Sequence, residues 1–510
     1  MPMDFITATV RSFLHYRVRA IRRYATDYEQ IQRKTLAKLV RLATDTEWGR
    51  QHGFEGIKDY EGFAARVPLN NYPSIKPWVE RMMKGERNLL WPGLVPYFAT
   101  SSGTTSDSIK FIPVSARGLK RCHLMGGRDV TASYLDKHRE SQLCRGYSLI
   151  LSGIFEEKYS TPEVKVGDIS AIMTWSIPSV FRRLMRFFPP LKLLDKVPTF
   201  KDKMEVLPAY LAKKRLTTFS GTPEWNLHLL KRTVEYAGKQ NADELWPHLE
   251  VFTFGGTSLR PFRHTVEKLF PAGRLVCLET YNASEGFFGV QTDSDDPAMT
   301  LMLDYEVFFE FLPMTEFGKE GARCIPLWEV EPGVNYSVYV TTSSGLWRYE
   351  LGDVIRFTRK APYKFEFVGR TTLSLNMCGE DLSVIQAEKA LAEACLQTGA
   401  VVEDFTVAPC VSDDKATVYH EWLMEFKRKP EDLSAFASIL QNCVTEEDYD
   451  YRHACYTGTL LPLHISEARP GLFFDWLDSK GKLGGQHKIP RLSSTRKFID
   501  ELLELNRRAD

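Results

Sequence analysis

Residues 216–238, LTTFSGTPEWNLHLLKRTVEYAG, contain the pattern that decides the fold. An apolar run, LTTFSG, is followed at once by a stretch with helical spacing that begins at Pro223. Similar runs recur as YSLILSG (147–153), LEVFTFGG (249–256) and RLVCLETYNASEG (274–286). Short apolar runs that alternate with helices are typical of strands buried on both faces of a sheet. Residues 1–369 are therefore predicted to form an α/β domain whose sheets are covered by helices.

The second part of the chain has a different pattern of predicted helices and strands. From about residue 353 the sequence indicates hairpin strands, DVIRFTRK and YKFEFVGR. Beyond Gly369 we expect, in order, a helix, two strands, a helix, a strand and a C-terminal helix. We therefore predict two domains, residues 1–369 and a smaller α+β domain at 370–510. A large body with a small cap favours a site at their interface, with a cap that moves.

Composition indicates an ordinary globular protein. Apolar residues make up 43% and charged residues 26% of the 510, and the formal net charge is +1. This balance gives no overall attraction to nucleic acid, so a nucleic-acid partner is not predicted. Nine cysteines without a CxxC pair argue against a disulfide framework and favour the cytoplasm. No apolar run reaches the roughly 18 residues of a transmembrane helix.

The N-terminal stretch at 11–43 is basic at its start and has helical spacing. Charges from Arg11 onward interrupt any signal-peptide core. Two interpretations stay open: a long helix packed on the domain with a solvated basic face, or a helix that lies on a membrane surface.

A run of small and hydroxyl residues, FATSSGTTSDSIKFIPVS, occupies 98–115. Glycine and small residues let backbone N–H groups approach an anion closely, and hydroxyls add donors. Lys110 adds a positive charge, so the segment suits a triphosphate. The GxxxxGK[ST] pattern of a Walker A loop is absent, and a plain flexible turn is the alternative.

A second segment, ETYNASEGFFGVQ, occupies 279–291. Tyr281 offers an aromatic ring to stack on a base, and Asn282 and Ser284 offer hydrogen bonds. Glu285 offers an oxygen ligand for Mg²⁺, the hard cation that accompanies ATP. The alternative is a turn at a strand end with a solvated glutamate.

Two further segments carry single charged candidates. In GLWRYELGDVIRF (345–357), Asp353 follows a glycine at the predicted start of a strand. A fixed carboxylate accepts hydrogen bonds from both hydroxyls of a ribose, although aspartate is also common in turns. In FEFVGR (365–370), Arg370 lies at the predicted domain boundary, where it is either a phosphate contact or part of a surface salt bridge.

The fifth segment, GGQHKIPRL at 484–492, presents Lys488 after a Gly-Gly turn. A lysine on a mobile cap would reach the reacting carboxylate and the α-phosphate and offset negative charge in the transition state. The alternative is one exposed lysine among many.

In this order and at these separations, the five segments resemble the adenylate-forming enzyme superfamily. They are most similar to the Gretchen Hagen 3 (auxin-responsive promoter) family of acyl acid–amido synthetases. SSGTTSDSIKFIPVS, ETYNASEGFFGVQ, LWRYELGDVIRFT and GGQHKIPR look like that family's phosphate loop, second and third ATP motifs and C-terminal lysine loop. The resemblance covers nearly the whole chain. It implies a large N-terminal domain of helix-covered β-sheets plus a β-barrel-like part, and a small mobile C-terminal α+β domain.

The resemblance also implies the site residues of an ATP- and Mg²⁺-dependent ligase. Tyr281 would lie against the adenine, and Asp353 would bind the ribose. The residues implied for nucleotide binding are Ser101, Ser102, Gly103, Thr104, Thr105, Tyr281, Asn282, Asp353 and Arg370. The residues implied for catalysis are Lys110, Glu285 and Lys488, with Glu285 as the Mg²⁺ ligand.

The walls of an acyl pocket are less readable. FTFGGTSL (252–259) resembles the segment that lines the adenine and the acyl group. By the same resemblance SAIMTWSIPS (170–179) and FSGTPEW (219–225) would form the walls; the alternative is that they are ordinary residues of core strands. The chain departs from the superfamily at GRTTLSLN, which lacks the usual Asp or Lys of the hinge.

The predicted activity is adenylation of a carboxylic acid followed by transfer of the acyl group to an amine, in particular an amino acid. An acyl-CoA ligase on the same fold is one alternative. A nucleotide-binding regulatory protein without turnover is the other. The sequence leaves open the acid, the amine and the oligomeric state.

Overall fold

The computed structural model describes residues 4–508 except 102–108, 195, 198–199, 257–258, 260–261, 320, 372–373, 376–381, 412–417, 457–459, 481–488 and 494. The chain divides into two compact units. The first contains Met1–Thr257 and Lys268–Phe367, and the second contains Ser258–Glu267 and Val368–Asp510. The sequence placed its boundary between 369 and 370 and gave no sign that 258–267 belongs with the C-terminal residues.

The first unit is built around two sheets. Its strands, of which the last runs into the second unit, are β1 (Tyr97–Ser101), β2 (Lys110–Val114), β3 (Tyr147–Ile150), β4 (Lys165–Gly167), β5 (Phe187–Phe188), β6 (Leu216–Gly221), β7 (Val251–Gly255), β8 (Val276–Ala283), β9 (Gly286–Val290), β10 (Met299–Leu301), β11 (Val307–Pro313), β12 (Ile325–Pro326), β13 (Asn335–Thr342), β14 (Tyr349–Lys360) and β15 (Tyr363–Arg370). The strands of the second unit are β16 (Ser374–Leu375), β17 (Leu382–Ser383), β18 (Val401–Val411), β19 (Val418–Arg428) and β20 (His464–Ala468).

Helices occur throughout both units. Up to the border of the units they are α1 (Phe5–Arg22), α2 (Tyr24–Ala43), α3 (Glu47–Gln51), α4 (Tyr60–Arg66), α5 (Tyr72–Met83), α6 (Ala116–Gly118), α7 (Leu124–Lys137), α8 (Ile169–Ser176), α9 (Ser179–Leu184), α10 (Leu191–Leu194), α11 (Phe200–Leu211), α12 (Pro223–Tyr236), α13 (Ala242–Leu245) and α14 (Arg263–Leu269). The later helices are α15 (Val384–Thr398), α16 (Leu433–Glu447), α17 (Tyr449–Tyr456), α18 (Leu472–Ser479) and α19 (Lys497–Arg507). None of the described helices is long and apolar enough to cross a membrane.

The larger sheet has twelve strands in the order β12-β11-β13-β14-β15-β10-β9-β8-β7-β6-β3-β5. From β5 to β8 neighbouring strands run parallel, and from β8 onward the paired strands run antiparallel. The mixed α/β class with large sheets is confirmed, and the four apolar runs named above form β3, β6, β7 and β8. A smaller sheet, in the order β2-β1-β4, pairs β1 antiparallel with β2 and parallel with β4.

The second unit has its own sheet, β18-β19-β20, and its own apolar core. Trp422 of β19 is fully buried and stacks on Phe405 of β18, with ring centroids 5.6 Å apart. The helices and strands predicted beyond Gly369 form in the predicted order, with β16, β17, α17 and α18 in addition. Mobility of this unit stays a prediction.

Two sequence-based expectations about helices and strands need correction. The alternative that residues 170–179 belong to a core strand is wrong, because residues 169–176 form α8, with Ile169 and Ile172 buried three residues apart on one face. A short apolar run does not distinguish a helix from a strand by periodicity alone.

The N-terminal stretch is two helices that meet at Arg23. Its basic side is not wholly solvated, because Arg17 is buried between Asp129 and Asp304 and donates to both carboxylates at 2.7–3.1 Å.

Candidate active site

The candidate site lies at the edge of the large sheet where the parallel strands end. In α/β sheets, ligands bind outside the carboxyl ends of the strands. The turn after β8 carries Ser284 and Glu285, and the Ser284 hydroxyl donates to the carbonyl oxygen of Thr100 at 3.3 Å. Thr100 belongs to β1, which enters the predicted phosphate loop one residue later. Two of the predicted motifs therefore meet through a direct contact.

The stem of the predicted phosphate loop is the β1–β2 hairpin. Ser101 pairs with Lys110 across the two antiparallel strands, so the two predicted residues stand side by side where the loop leaves the sheet. The Lys110 ammonium lies 5.8 Å from the ring centre of Tyr72, whose hydroxyl accepts from the Phe111 N–H at 2.9 Å. Ser102, Gly103, Thr104 and Thr105 lie outside the described residues.

Tyr281 and Asp353 join the second and third motifs. The Tyr281 hydroxyl donates to Oδ2 of Asp353 at 2.5 Å, and both side chains are buried. The Tyr281 ring makes edge contacts with three phenylalanine rings, at centroid distances of 5.2–5.9 Å. This packing holds the tyrosine in one orientation, so its hydroxyl fixes the direction of the carboxylate. The predicted contacts of Tyr281 with adenine and of Asp353 with ribose stay predictions.

Asp353 is not at the start of a strand, as its sequence context suggested, but inside β14. The register of β14 on β13 shifts between the pairs Ser337–Val354 and Tyr339–Glu350, which leaves a bulge around Asp353. Gly352 supplies the backbone conformation that the bulge needs, with φ of 74°. The sequence signal was the glycine, but it marks a bulge and not a strand end.

His123 is a residue of this region that the sequence did not suggest. It ends a π-helical segment, Leu119–His123, and is 1% exposed. Such segments often occur at functional sites. Burial lowers the pKa of His123 to about 4, and the side chain of Asn282, which opposes that shift, does not outweigh it. The imidazole is therefore neutral at pH 7.

The contact between His123 and Asn282 places a buried polar pair behind the second motif. Nδ1 of His123 and Oδ1 of Asn282 both lack a hydrogen-bond partner among the described residues. The neighbouring Cys122 Sγ accepts from the N–H of Phe287 at 3.2 Å, which ties the same segment to β9. In the sequence, a lone histidine after two basic residues carries no pattern that distinguishes it from a surface group.

Glu285 is half-buried in the turn between β8 and β9. The described part of the chain contains no group of three or more His, Cys, Asp or Glu side chains that would hold a metal ion by itself. Mg²⁺ in nucleotide sites is usually bound by one or two carboxylates together with phosphate oxygens and water. One carboxylate next to Ser284, which contacts Thr100 in the stem of the predicted phosphate loop, fits that arrangement. The role of Glu285 stays a prediction.

The remaining predicted residues lie in the second unit. Arg370 is the last residue of β15 and is half-buried. Lys488 lies outside the described residues, and its role stays a prediction.

The predicted pocket walls are only partly accessible. Phe252 is fully buried and stacks on Phe219 at 4.1 Å, so its side chain belongs to the core of the first unit. Met173 and Trp175 of α8 are half-buried, and Trp175 makes an edge contact with Phe155 at 5.7 Å. These two side chains remain candidates for an acyl pocket.

Comparison with known proteins identifies the fold and then the family. A solved structure, the AtGH3.15 acyl acid amido synthetase in complex with 2,4-DB, superposes with a TM-score of 0.78 at 20% identity, over 99% of this chain and 97% of that chain. A 2-hydroxyisobutyryl-CoA ligase in its postadenylation state superposes with a TM-score of 0.58 at 12% identity, over 94% of this chain and 92% of that one. The fold is therefore that of the adenylate-forming enzymes.

The chain also matches three domains of one family along its length. They are the GH3 family N-terminal domain at residues 17–187, the central domain at 300–370 and the C-terminal domain at 385–497. This chain belongs to the GH3 family, which confirms the resemblance drawn from the sequence.

Two curated relatives from rice cover almost the same length. The indole-3-acetic acid-amido synthetase GH3.8 of Oryza sativa subsp. indica is 24% identical over 93% of this chain and 90% of its own. The jasmonoyl-L-amino acid synthetase GH3.5 of Oryza sativa subsp. japonica is 25% identical over 91% of this chain and 92% of its own.

Proposed function

We propose that this chain is an ATP-dependent acyl acid–amido synthetase, which adenylates a carboxylic acid and transfers the acyl group to an amino acid. One observation carries the proposal: two hydrogen bonds, Ser284 to Thr100 and Tyr281 to Asp353, join the three nucleotide motifs of the first unit. The names of the relatives support it, since one rice protein is an indole-3-acetic acid-amido synthetase and the other a jasmonoyl-L-amino acid synthetase.

The first step activates the carboxylate. A carboxylate is a poor electrophile because its charge repels nucleophiles and oxide is a bad leaving group. Attack of its oxygen on the α-phosphorus of ATP forms a mixed anhydride and releases pyrophosphate. The enzyme must hold two anions together, and Ser101 and Lys110 at the loop stem would bind the phosphates. Glu285 would hold Mg²⁺, which would supply positive charge to offset that of the phosphates.

Asp353 and Tyr281 would position the nucleoside. A carboxylate fixed by the Tyr281 hydroxyl retains acceptor capacity for the ribose hydroxyls, and a fixed acceptor loses little entropy when the ribose binds. His123 and Asn282 would support the same turn from behind. The neutral imidazole suits this place, because an imidazolium there would repel the cation that the phosphates bring.

The second step is attack of a neutral amine on the acyl carbon, with AMP as the leaving group. AMP leaves readily, so no side-chain nucleophile is required. The acyl-adenylate must be kept from water until the amine arrives. The described cysteines are free thiols, which suits a reducing compartment such as the cytoplasm.

The test is acid-dependent exchange of pyrophosphate into ATP across a library of carboxylic acids. We expect exchange with one class of acids in the absence of any amine. Addition of amino acids one at a time should then produce AMP and an amide. Thioester formation with CoA in place of amide formation would show the CoA-ligase alternative, and the absence of exchange with every acid would refute the proposal.

Lys488→Ala separates binding from catalysis. If Lys488 stabilises the adenylation transition state, the variant should lose most of the exchange rate while its affinity for ATP stays nearly unchanged. Lys480→Ala, which removes an exposed lysine of the second unit paired with Glu501 at 3.0 Å, is the matched control. Equal exchange by the Lys488 and Lys480 variants would remove Lys488 from the mechanism.

A further inference from the structure

Lys203 is a buried cation that makes no close ion pair with a described carboxylate, although Asp168 and Asp202 attract it at longer range. It lies in the first turn of α11 and is 4% exposed. Its Nζ donates to the carbonyl oxygen of Ser152 at 2.7 Å and forms no ion pair with any carboxylate of the described residues. Burial lowers the pKa of Lys203 to about 8, so the ammonium still predominates at pH 7. Lys364 is equally buried but is paired with Asp296 at 2.5 Å.

The place of Lys203 in the fold relates it to the candidate site. Ser152 follows the carboxyl end of β3, and two residues later the Ile154 N–H donates to Asp168 at 3.0 Å. Asp168 directly follows Gly167 of β4, which pairs with Ala99 of β1. Asp168 also attracts Lys203, so the ammonium is near the end of β4, the strand that pairs with β1 where the predicted phosphate loop begins.

Other polar groups at this strand edge also retain unused bonding capacity. The hydroxyl of Ser152 and Oδ1 of Asn226 are buried and have no partner among the described residues. The Asn226 amide lies next to the ends of both β3 and β6, because a Cβ at Gly221 would be 2.6 Å from its Nδ2 and 3.9 Å from the Leu151 carbonyl oxygen. An ammonium has three N–H donors, and the described residues accept from one of them.

A buried ammonium is costly unless it is paired. The longer-range attraction of Asp168 and Asp202 does not offset the burial, since the pKa of Lys203 is still lowered, so an anionic ligand in direct contact would stabilise the ammonium. Two substrate carboxylates are candidates under the proposed function. The carboxylate of the acid must lie at the α-phosphorus and loses its charge on adenylation. The carboxylate of an amino-acid acceptor keeps its charge throughout, so a fixed cation would pair with it in every state of the second step.

We propose that Lys203 binds the carboxylate of the amino-acid acceptor, with the Ser152 hydroxyl as a second donor. This assignment rests on the proposed function. The nitrogen lone pair of the bound amino acid forms the C–N bond, and the C–O bond to AMP breaks with its electron pair on AMP. The amine proton passes to solvent, and the ion pair with Lys203 is unchanged. A nearby cation also lowers the pKa of the acceptor amine, which favours the neutral nucleophile.

The test compares two acceptors that differ by one charge: the L-amino acid that the acceptor screen selects, and its α-carboxamide. Wild-type enzyme should prefer the amino acid in kcat/KM. Lys203→Met should raise the amino-acid KM roughly 10- to 100-fold, the worth of a charged hydrogen bond, and abolish the preference. Lys203→Arg should restore part of the preference, and Lys201→Met, on the exposed side of α11, should change neither value.

Acid-dependent pyrophosphate exchange, measured without acceptor, separates the possible failures. We expect Lys203→Met to retain this exchange, which also shows that the variant is folded. A Lys203→Met enzyme that still prefers the amino acid would overturn the assignment. A raised KM for the carboxylic acid in the exchange reaction of Lys203→Met would also overturn the assignment. Absence of exchange in the wild-type enzyme would instead refute the proposed function, and the assignment with it.

Discussion

Two buried cations of the first unit, Arg348 and Lys203, have opposite surroundings. Arg348 donates to both oxygens of Glu310 at 2.8–3.1 Å and to the carbonyl oxygens of Ala64 and Val67 at 2.8–2.9 Å. Lys203 donates to one carbonyl oxygen of the described residues, and Asp168 and Asp202 attract it without a close ion pair. A buried cation that is paired with a buried carboxylate serves the architecture. One that keeps unused donors at the end of a strand is suited to a ligand.

The same contrast appears within one predicted motif. Arg348 and Asp353 both belong to GLWRYELGDVIRF, and both are buried. Arg348 ties the start of β14 to Glu310 of β11, whereas Asp353 stands in the bulge with the Tyr281 hydroxyl directed at it. A motif recognised as a unit therefore contains one residue that holds the fold and another that the proposed function assigns to the nucleotide.

The largest expected effect is on the Arg348 side of the comparison. Arg348→Met leaves Glu310 buried without its partner and should lower the free energy of unfolding by about 3–5 kcal/mol. Urea denaturation followed by circular dichroism measures the loss. Arg356→Met is the matched control, because its pair with Glu366 is exposed and should contribute no more than about 1 kcal/mol. Similar losses of unfolding free energy in the two variants would show that the buried pair of Arg348 stabilises the fold no more than an exposed pair does.

Asp353 should affect ligand binding more than stability. Asp353→Asn keeps the shape of the side chain but removes the charge, and should weaken ATP binding roughly 10- to 100-fold. Tyr281→Phe should weaken it less, because the carboxylate remains and only its orientation is released. Titration calorimetry with ATP measures both. If Tyr281→Phe were the more damaging change, the adenine contact of the ring would outweigh its hold on Asp353.

His123 should make stability depend on pH. Its folded pKa of about 4 lies below the ordinary 6.5, so the neutral form is favoured in the folded state. The stability this contributes is complete above 6.5 and is lost as the pH falls from 6.5 toward 4. Between about pH 7.5 and pH 5.5 the wild-type protein should lose about 1 kcal/mol that His123→Gln does not lose.

Thermal unfolding at the two pH values measures that difference. His264→Gln, at an exposed histidine, should behave as the wild-type protein does. An unchanged pH dependence in His123→Gln would show that another group is responsible for it.

The smallest expected effect is on the Lys203 side. Lys203→Met removes an ammonium whose burial is unfavourable and replaces it with an apolar chain of similar length, so the free energy of unfolding should change by less than about 1 kcal/mol. Urea denaturation beside Arg348→Met tests the comparison directly. A loss as large as that of Arg348→Met would make Lys203 part of the architecture and not a ligand group.

Much of the fold was predictable because its signals are local. Apolar runs bounded by turn residues gave β3, β6, β7 and β8, and a 3.6-residue period gave α12. The same local signals failed at α8, where eight mostly apolar residues have no clear period, and at Arg23, where the helix breaks without a glycine or proline.

The candidate site was predictable where residues lie in recognisable strings. The sequence motifs identified Tyr281, Glu285 and Asp353 as candidates. The hydrogen bond from Tyr281 to Asp353 joins residues far apart in the chain, and only the folded sheet reveals it. His123 and Lys203 belong to no string. They are of interest because each is buried without using all of its hydrogen-bonding capacity. This property depends on the packed interior, and the neighbouring residues in the sequence do not reveal it.

The π-helical segment Leu119–His123 has a consequence for insertions and deletions. Its turn holds one residue more than a regular α-helical turn, so the segment stores a surplus residue. Deleting a residue there would restore regular winding and rotate the preceding turn by about 100° relative to α7. Relatives that differ by one residue at this point would thus keep the helix. They would present different side chains to the turn between β8 and β9, which carries Ser284 and Glu285. A gap of one position in an alignment at this segment would then indicate a change in the side chains that contact this turn.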